Sequence, residues 1–287
     1  MPPISLRFVV GTRGADAAKT VSQQRNHNQK RCMPFKNKMM RKYIVGLLLL
    51  IITNHSFGQE WNEKYGQPIV VLVETNPWLM VIGSDVPTFA LYENGQIIYK
   101  KVVNKKWKYF EVSNDRETTQ KIIKSFGITD SLMNQTDYIE ASNWTDQPTN
   151  ILLLNFDNLR QISVYGSLAE KKSEARKNTP KDFVTVYDNI KKFENKKAQD
   201  WLPDNIEIML TDYNHSPEEP KEWPENWSNL ESESTVKRSE SLYSLYLPKE
   251  SFEDFKKLIS GLKEKQAVEI NGKKFSVSYR LPFPNLN

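Results

Sequence analysis

The sequence predicts an α+β fold: antiparallel sheets built from β-hairpins, with two or three helices packed on them, open to a reading as two small β-α-β-β-like units. Three observations carry this. Short apolar or alternating runs recur along the chain. Asn-Gly pairs stand between such runs at 94–95 and 271–272, and three stretches repeat apolar residues at helical spacing. Asn-Gly tolerates the positive φ values of a two-residue type I′ turn, so each pair predicts a hairpin.

The elements follow in order. Residues 69–73 and 79–82 are β-branched apolar runs, read as strands around the Thr75-Asn76-Pro77 turn. Residues 88–92 and 96–99 flank the first Asn-Gly, and 108–112 is a further strand. A helix follows, with Asn114 as cap, Glu117 three residues on, Ile122, Ile123 and Phe126 on one face, and Gly127 at its end. Residues 151–156 are almost continuously apolar, as expected of a strand covered on both faces. Asp157-Asn158 turns it into 159–165.

Residues 168–181 are charged and read as a solvated link. Thr179-Pro180-Lys181-Asp182 then predicts a helix start, with Thr179 as N-cap. Its apolar stripe is Phe183, Val186, Tyr187, Ile190 and Phe193. Residues 206–210 predict a strand, and 213–236 a Pro/Glu-rich loop or linker. In the C-terminal segment, 241–247 is a strand and Ser251 to Asp254 a capping box opening a helix. Phe275, Val277, Tyr279 and Leu281 alternate with polar residues, which gives one buried and one wet face.

Domain organisation follows from this pass and from a leader. Arg41 and Lys42 precede an apolar run at 43–53, and Ser56 and Gly58 stand just before Gln59. That is the layout of a signal peptide over 40–58, and the run is too short for the roughly twenty residues of a bilayer span. Residues 1–39 then read as a non-native or disordered extension ahead of a start at Met39 or Met40. Residues 59–212 form an α+β domain and 237–287 a C-terminal β-α-β-β unit. The alternative is an anchor left uncleaved. No Cys follows the apolar run to take a lipid, since Cys32 precedes it.

Charge changes sign across the leader. Of 40 Lys/Arg and 35 Asp/Glu, ten cations and one acid fall in residues 1–58, which leaves 30 against 34 and a net of −4 beyond it. The basic bulk composition therefore does not argue for nucleic-acid binding, which clustered cations would favour. Beyond residue 58 there is no Cys and one His, His215. Burial rather than disulfides must hold that part together.

The residue inventory narrows the chemistry. Phosphate- and dinucleotide-binding glycine motifs are missing, as are His-Glu-x-x-His and paired Cys-x-x-Cys, so no cofactor is expected. One His and no Cys cannot build a His/Cys zinc centre, and no metal is expected. A Ser-His-Asp triad would require His215, which sits in a polar loop. Carboxylates remain, with Asp85, Glu140, Asp146 and Asp157 as the candidates for glycoside cleavage. Trp223 and Trp227, four residues apart, and Trp144 are the candidate ligand-binding rings, able to stack on a sugar or anchor a partner. The alternative for Trp223 and Trp227 is that both rings fold back and pin the long loop.

The expected function is an exported, soluble, non-enzymatic protein of the periplasm or exterior. It binds an envelope protein or glycan, without nucleic acid and without stable membrane insertion. The alternatives are a carboxylate-dependent glycan hydrolase and an inhibitor or immunity-like protein acting by occlusion. A cleft holding two carboxylates beside Trp rings favours the enzyme; a flat surface with scattered carboxylates favours the binder.

Overall fold

The computed structural model describes residues 61–81 and 83–286. The signal-peptide reading and the extension ahead of it lie outside those residues. The fold is α+β, with two antiparallel-rich sheets.

Strands β1 (Pro68–Glu74), β2 (Phe89–Tyr92), β3 (Gln96–Val103), β4 (Lys106–Ser113), β5 (Tyr138–Glu140), β6 (Thr149–Asn155), β7 (Leu159–Tyr165) and β8 (Gln199–Asp200) form an eight-stranded sheet. Its order is β5-β7-β6-β1-β2-β3-β4-β8, and only the short edge strand β5 runs parallel to its neighbour. The central strands β1, β2 and β6 are buried on both faces, which explains their continuous apolar runs. Val70, Leu72, Leu152 and Leu154 join a cluster with helices α1 (Arg116–Phe126), α2 (Asp130–Met133), α3 (Glu174–Asn178) and α4 (Lys181–Lys192). Val71, Val73, Ile151 and Leu153, one residue out of phase, join a second cluster that includes the other sheet.

That second sheet contains β9 (Asn205–Asp212), β10 (Lys221–Glu222), β11 (Val236–Ser239), β12 (Leu242–Pro248), β13 (Val268–Ile270) and β14 (Lys273–Arg280). Its order is β10-β13-β14-β9-β12-β11. Helix α5 (Phe252–Ser260) buries Phe252 and Phe255 in the cluster shared with Ile206, Ile208, Leu245, Leu247 and Phe275. On α4 the stripe Phe183, Val186, Tyr187 and Ile190 is buried as the spacing predicts, at about 1.5–3 kcal/mol per large side chain.

Several local expectations are corrected. Residues 79–81 are not a strand. The Asn76 side chain accepts the Trp78 amide at 3.0 Å and the Asn76 carbonyl accepts the Leu79 amide at 3.3 Å, which turns the chain out of the sheet. The α1 cap is Asp115, whose carboxylate takes the Thr118 amide at 2.7 Å; the Asn114 side chain instead reaches the Gly95 carbonyl. Thr179 does not cap α4, because its hydroxyl bonds back to the Ala175 carbonyl at 2.6 Å and closes α3. Ser251 lies in a single 3₁₀ turn and makes no cap bond. Residues 168–181 are not merely solvated: Leu168 and Ala175 are buried, and Arg176 grips both Asp188 oxygens at 3.0 and 2.6 Å.

The two Asn-Gly hairpins also differ. At Asn271-Gly272 both φ values are positive, +50° and +72°, as a type I′ turn demands. At the first, only Gly95 is left-handed, and its amide bonds to the Tyr92 carbonyl at 3.0 Å. That is a type I turn with a bulge and a three-residue loop. A two-residue loop of the type I′ kind appears instead at Asn104-Lys105, φ +51° and +62°, joining β3 to β4.

Residues 213–236 do not link two separate sheets. The strand before it, β9, pairs with β12 of the β11–β12 hairpin that follows it, and the loop contributes β10 to the same sheet. β9 also lies between β12 and β14, so residues 237–287 complete their sheet only with a strand from before the loop.

Candidate functional site

Among the described residues lies a cleft of about 960 Å³ with three walls. One is the face of the β3–β4 hairpin carrying Lys100, Trp107 and Tyr109. Cross-strand register places these side chains together, since Lys100 pairs with Tyr109 and Val102 with Trp107. The second is the end of β14 with the start of α5, presenting Tyr279, Arg280 and Phe252. The third is the loop between β1 and β2, with Met80 and Asp85. This loop is braced at both ends. Asp85 accepts the Asn76 amide at 2.7 Å, and Ser276 of β14 donates to the Met80 sulfur at 3.2 Å.

Two aromatic rings of the cleft are open to solvent, one from each sheet. Trp107 is 59% exposed and Tyr279 39%. Tyr279 is held edge-on by Phe252 and Phe255, with ring centroids 5.4 and 5.7 Å away. Trp201 also lines the cleft but is committed to structure: it is buried against Phe283, and its indole N–H donates to the Tyr65 hydroxyl at 3.0 Å. Tyr109 packs on both Trp201 and Phe283, and burial pushes its phenol well above the ordinary value.

The electrostatics centre on Lys100 and Asp85. The Lys100 ammonium lies 4.6 Å from the Trp107 ring centre and 5.7 Å from that of Tyr109. It has no ion pair or hydrogen bond among the described residues. Burial lowers its pKa, against the pull of Glu74 and Asp85. The Asp85 carboxyl is raised, again by burial, against the Asn76 amide and the Lys100 and Arg280 charges. The two groups are thus each pushed toward their neutral forms.

The other carboxylates of the cleft are engaged. Glu74 accepts the Tyr187 hydroxyl and the Lys191 ammonium, both at 2.6 Å. Asp200 pairs with Lys108 at 3.1 Å, and Glu253 with Lys256 at 2.6 Å. Arg280 is drawn to Glu207, at 2.6 Å, whose second oxygen takes the Ser244 hydroxyl at 2.6 Å. Glu207 is only 3% exposed, so this arrangement anchors the wall from beneath.

The residues singled out by the sequence are distributed differently. Asp85 is in the cleft; Glu140, at the end of edge strand β5, Asp146, in the following loop, and Asp157, in the β6–β7 turn, do not line it. Trp223 and Trp227 fold back, with rings edge-to-face at 5.0 Å and both near Phe255. Trp223 is 7% exposed, and its indole N–H donates to the Ser228 carbonyl at 2.9 Å. Trp144 is 71% exposed, on the loop after β5 and away from the cleft lining. Lys100, Trp107 and Tyr279 were not singled out. The available signal was a density of lysines around one tryptophan, five between residues 100 and 108. Groups of three or more His, Cys, Asp or Glu placed to hold a metal are absent among the described residues.

No protein-family model, curated protein or solved structure matches the chain.

Proposed function

We propose that the protein is an exported, non-catalytic binding protein of the periplasm or cell exterior, and that it takes an envelope glycan in this cleft. The observation that carries the reading is the pair of solvent-open rings, Trp107 and Tyr279, on rigid strands of different sheets within one concavity. Aromatic faces with nearby polar groups suit a pyranose, whose C–H face stacks while its hydroxyls find hydrogen bonds. Export rests on the leader layout at residues 40–58. No helix among the described residues is long and apolar enough to cross a membrane.

Titration calorimetry against a panel of polysaccharide fragments tests this, with Trp107→Ala and Tyr279→Ala beside the unaltered protein. Binding that falls about tenfold or more in each variant supports it. Absence of binding across the panel, or binding untouched by both substitutions, refutes it.

One observation favours glycan hydrolysis as a second reading. Burial raises the Asp85 carboxyl above its ordinary value, the direction of shift that suits a general acid. Against it, Glu74, Asp200 and Glu253 each hold a cation, which leaves Asp85 without a free carboxylate partner in the cleft. Release of reducing ends from any bound glycan, lost in Asp85→Asn, would establish the enzyme and displace the binding reading.

A further inference from the structure

The charges of the cleft are unequal once their pairings are assigned. Lys108, Lys256 and Arg280 are neutralised by Asp200, Glu253 and Glu207, and Glu74 by Lys191. Lys100, Lys105 and Lys106 remain without carboxylate partners among the described residues, and the one opposing group left is Asp85. Lys105 and Lys106 stand at the exposed tip of the hairpin, whereas Lys100 lies inward, beside the Trp107 and Tyr109 rings. An inward, desolvated cation without a counter-ion is costly unless something negative completes it.

We propose that the glycan is acidic and that Lys100 receives its anionic group, a uronate carboxylate or a sulfate ester, while Trp107 and Tyr279 hold the sugar rings. The hairpin tip lysines attract the polyanion to the mouth; Lys100 selects the group that enters. A protein whose net charge beyond the leader is −4 therefore carries one locally positive cleft. The inference rests on the glycan-binding reading.

Its test compares three probes on the full chain: oligogalacturonate, the same oligomer reduced at its carboxyls to neutral galactose, and a sulfated dextran fragment. Expected is binding of one or both acidic probes, at least tenfold weaker binding of the neutral oligomer, and a similar loss in Lys100→Gln with recovery in Lys100→Arg. Preference between the acidic probes identifies carboxylate or sulfate as the group received. Should Lys100→Gln fold poorly, Lys105→Gln/Lys106→Gln, altered only at the exposed tip, is expected to weaken the acidic probes alone and to make their binding less dependent on salt, and unchanged binding of the acidic probes would count against the proposal. Equal binding of neutral and acidic oligomers, with Trp107→Ala weakening both, would overturn the acidic preference and leave glycan binding intact. Binding of none of the three, nor of any neutral fragment, would overturn both.

Discussion

Replacing Gly95 and Gly272 by alanine, one at a time, separates two contributions that hairpin glycines share. Both residues are left-handed, φ +83° and +72°, a conformation that costs an L-residue about 1–2 kcal/mol. Their surroundings differ. A Cβ on Gly272 meets nothing within 4 Å, whereas one on Gly95 would stand 2.2 Å from the Asn114 carbonyl oxygen and 2.8 Å from the Thr119 hydroxyl. That oxygen cannot retreat alone. The Asn114 amide and side chain both bond to the Gly95 carbonyl, at 3.0 and 3.1 Å, and the next residue, Asp115, caps α1. Relief must therefore shift the β4–α1 junction, and forced overpacking of this kind costs about 1–3 kcal/mol more. Gly95→Ala is expected to lose about 2–5 kcal/mol and Gly272→Ala about 1–2 kcal/mol. Urea unfolding followed by tryptophan fluorescence measures both. Equal losses, or a larger loss at Gly272, would refute the close approach of Gly95 to Asn114.

Three further outcomes are expected. Glu207→Ala removes the buried carboxylate that Arg280, Arg238 and Ser244 share, and should cost about 3–5 kcal/mol in urea melts; a loss under about 1 kcal/mol would argue against a paired charge. Trp223→Ala should cost about 3–5 kcal/mol in the same assay, because its ring is a core element; a variant of unchanged stability would contradict its burial. Asp85→Asn should stabilise the free protein at neutral pH. A carboxyl whose pKa is raised on folding favours the fold while protonated and loses that contribution as pH rises through the folded value. Stability curves of variant and parent should therefore converge in acid and separate toward neutrality, and separation in acid instead would reverse the reasoning.

By itself the sequence determined the fold class, the central strands and the helix faces. Those signals are local: continuous apolar runs in β1 and β6, and a 3.6-residue stripe in α4. In β14 the period of two did not sort the faces: Phe275 is buried, but Tyr279 is open to solvent and Arg280 reaches the buried Glu207. Each records which side of one element must leave water, and that holds whatever the element packs against. Cap assignments failed where two polar residues competed within a turn, as with Asn114 and Asp115, because the winner depends on a distant carbonyl such as that of Gly95.

Only the tertiary structure decided the cleft. Lys100, Trp107, Asp85 and Tyr279 span β3, β4, a loop and β14, and nothing in their spacing says that two sheets and a bent loop bring them together. The tertiary structure also decided which aromatic rings are open to solvent. The spacing of Trp223 and Trp227 fits both an exposed ligand-binding pair and rings folded back to pin the loop; Phe255 gives them a place to bury, while Trp107, inside an ordinary strand, has no such partner and stays open. Burial is a property of what lies opposite a side chain, and a linear sequence carries that only through the fold it builds.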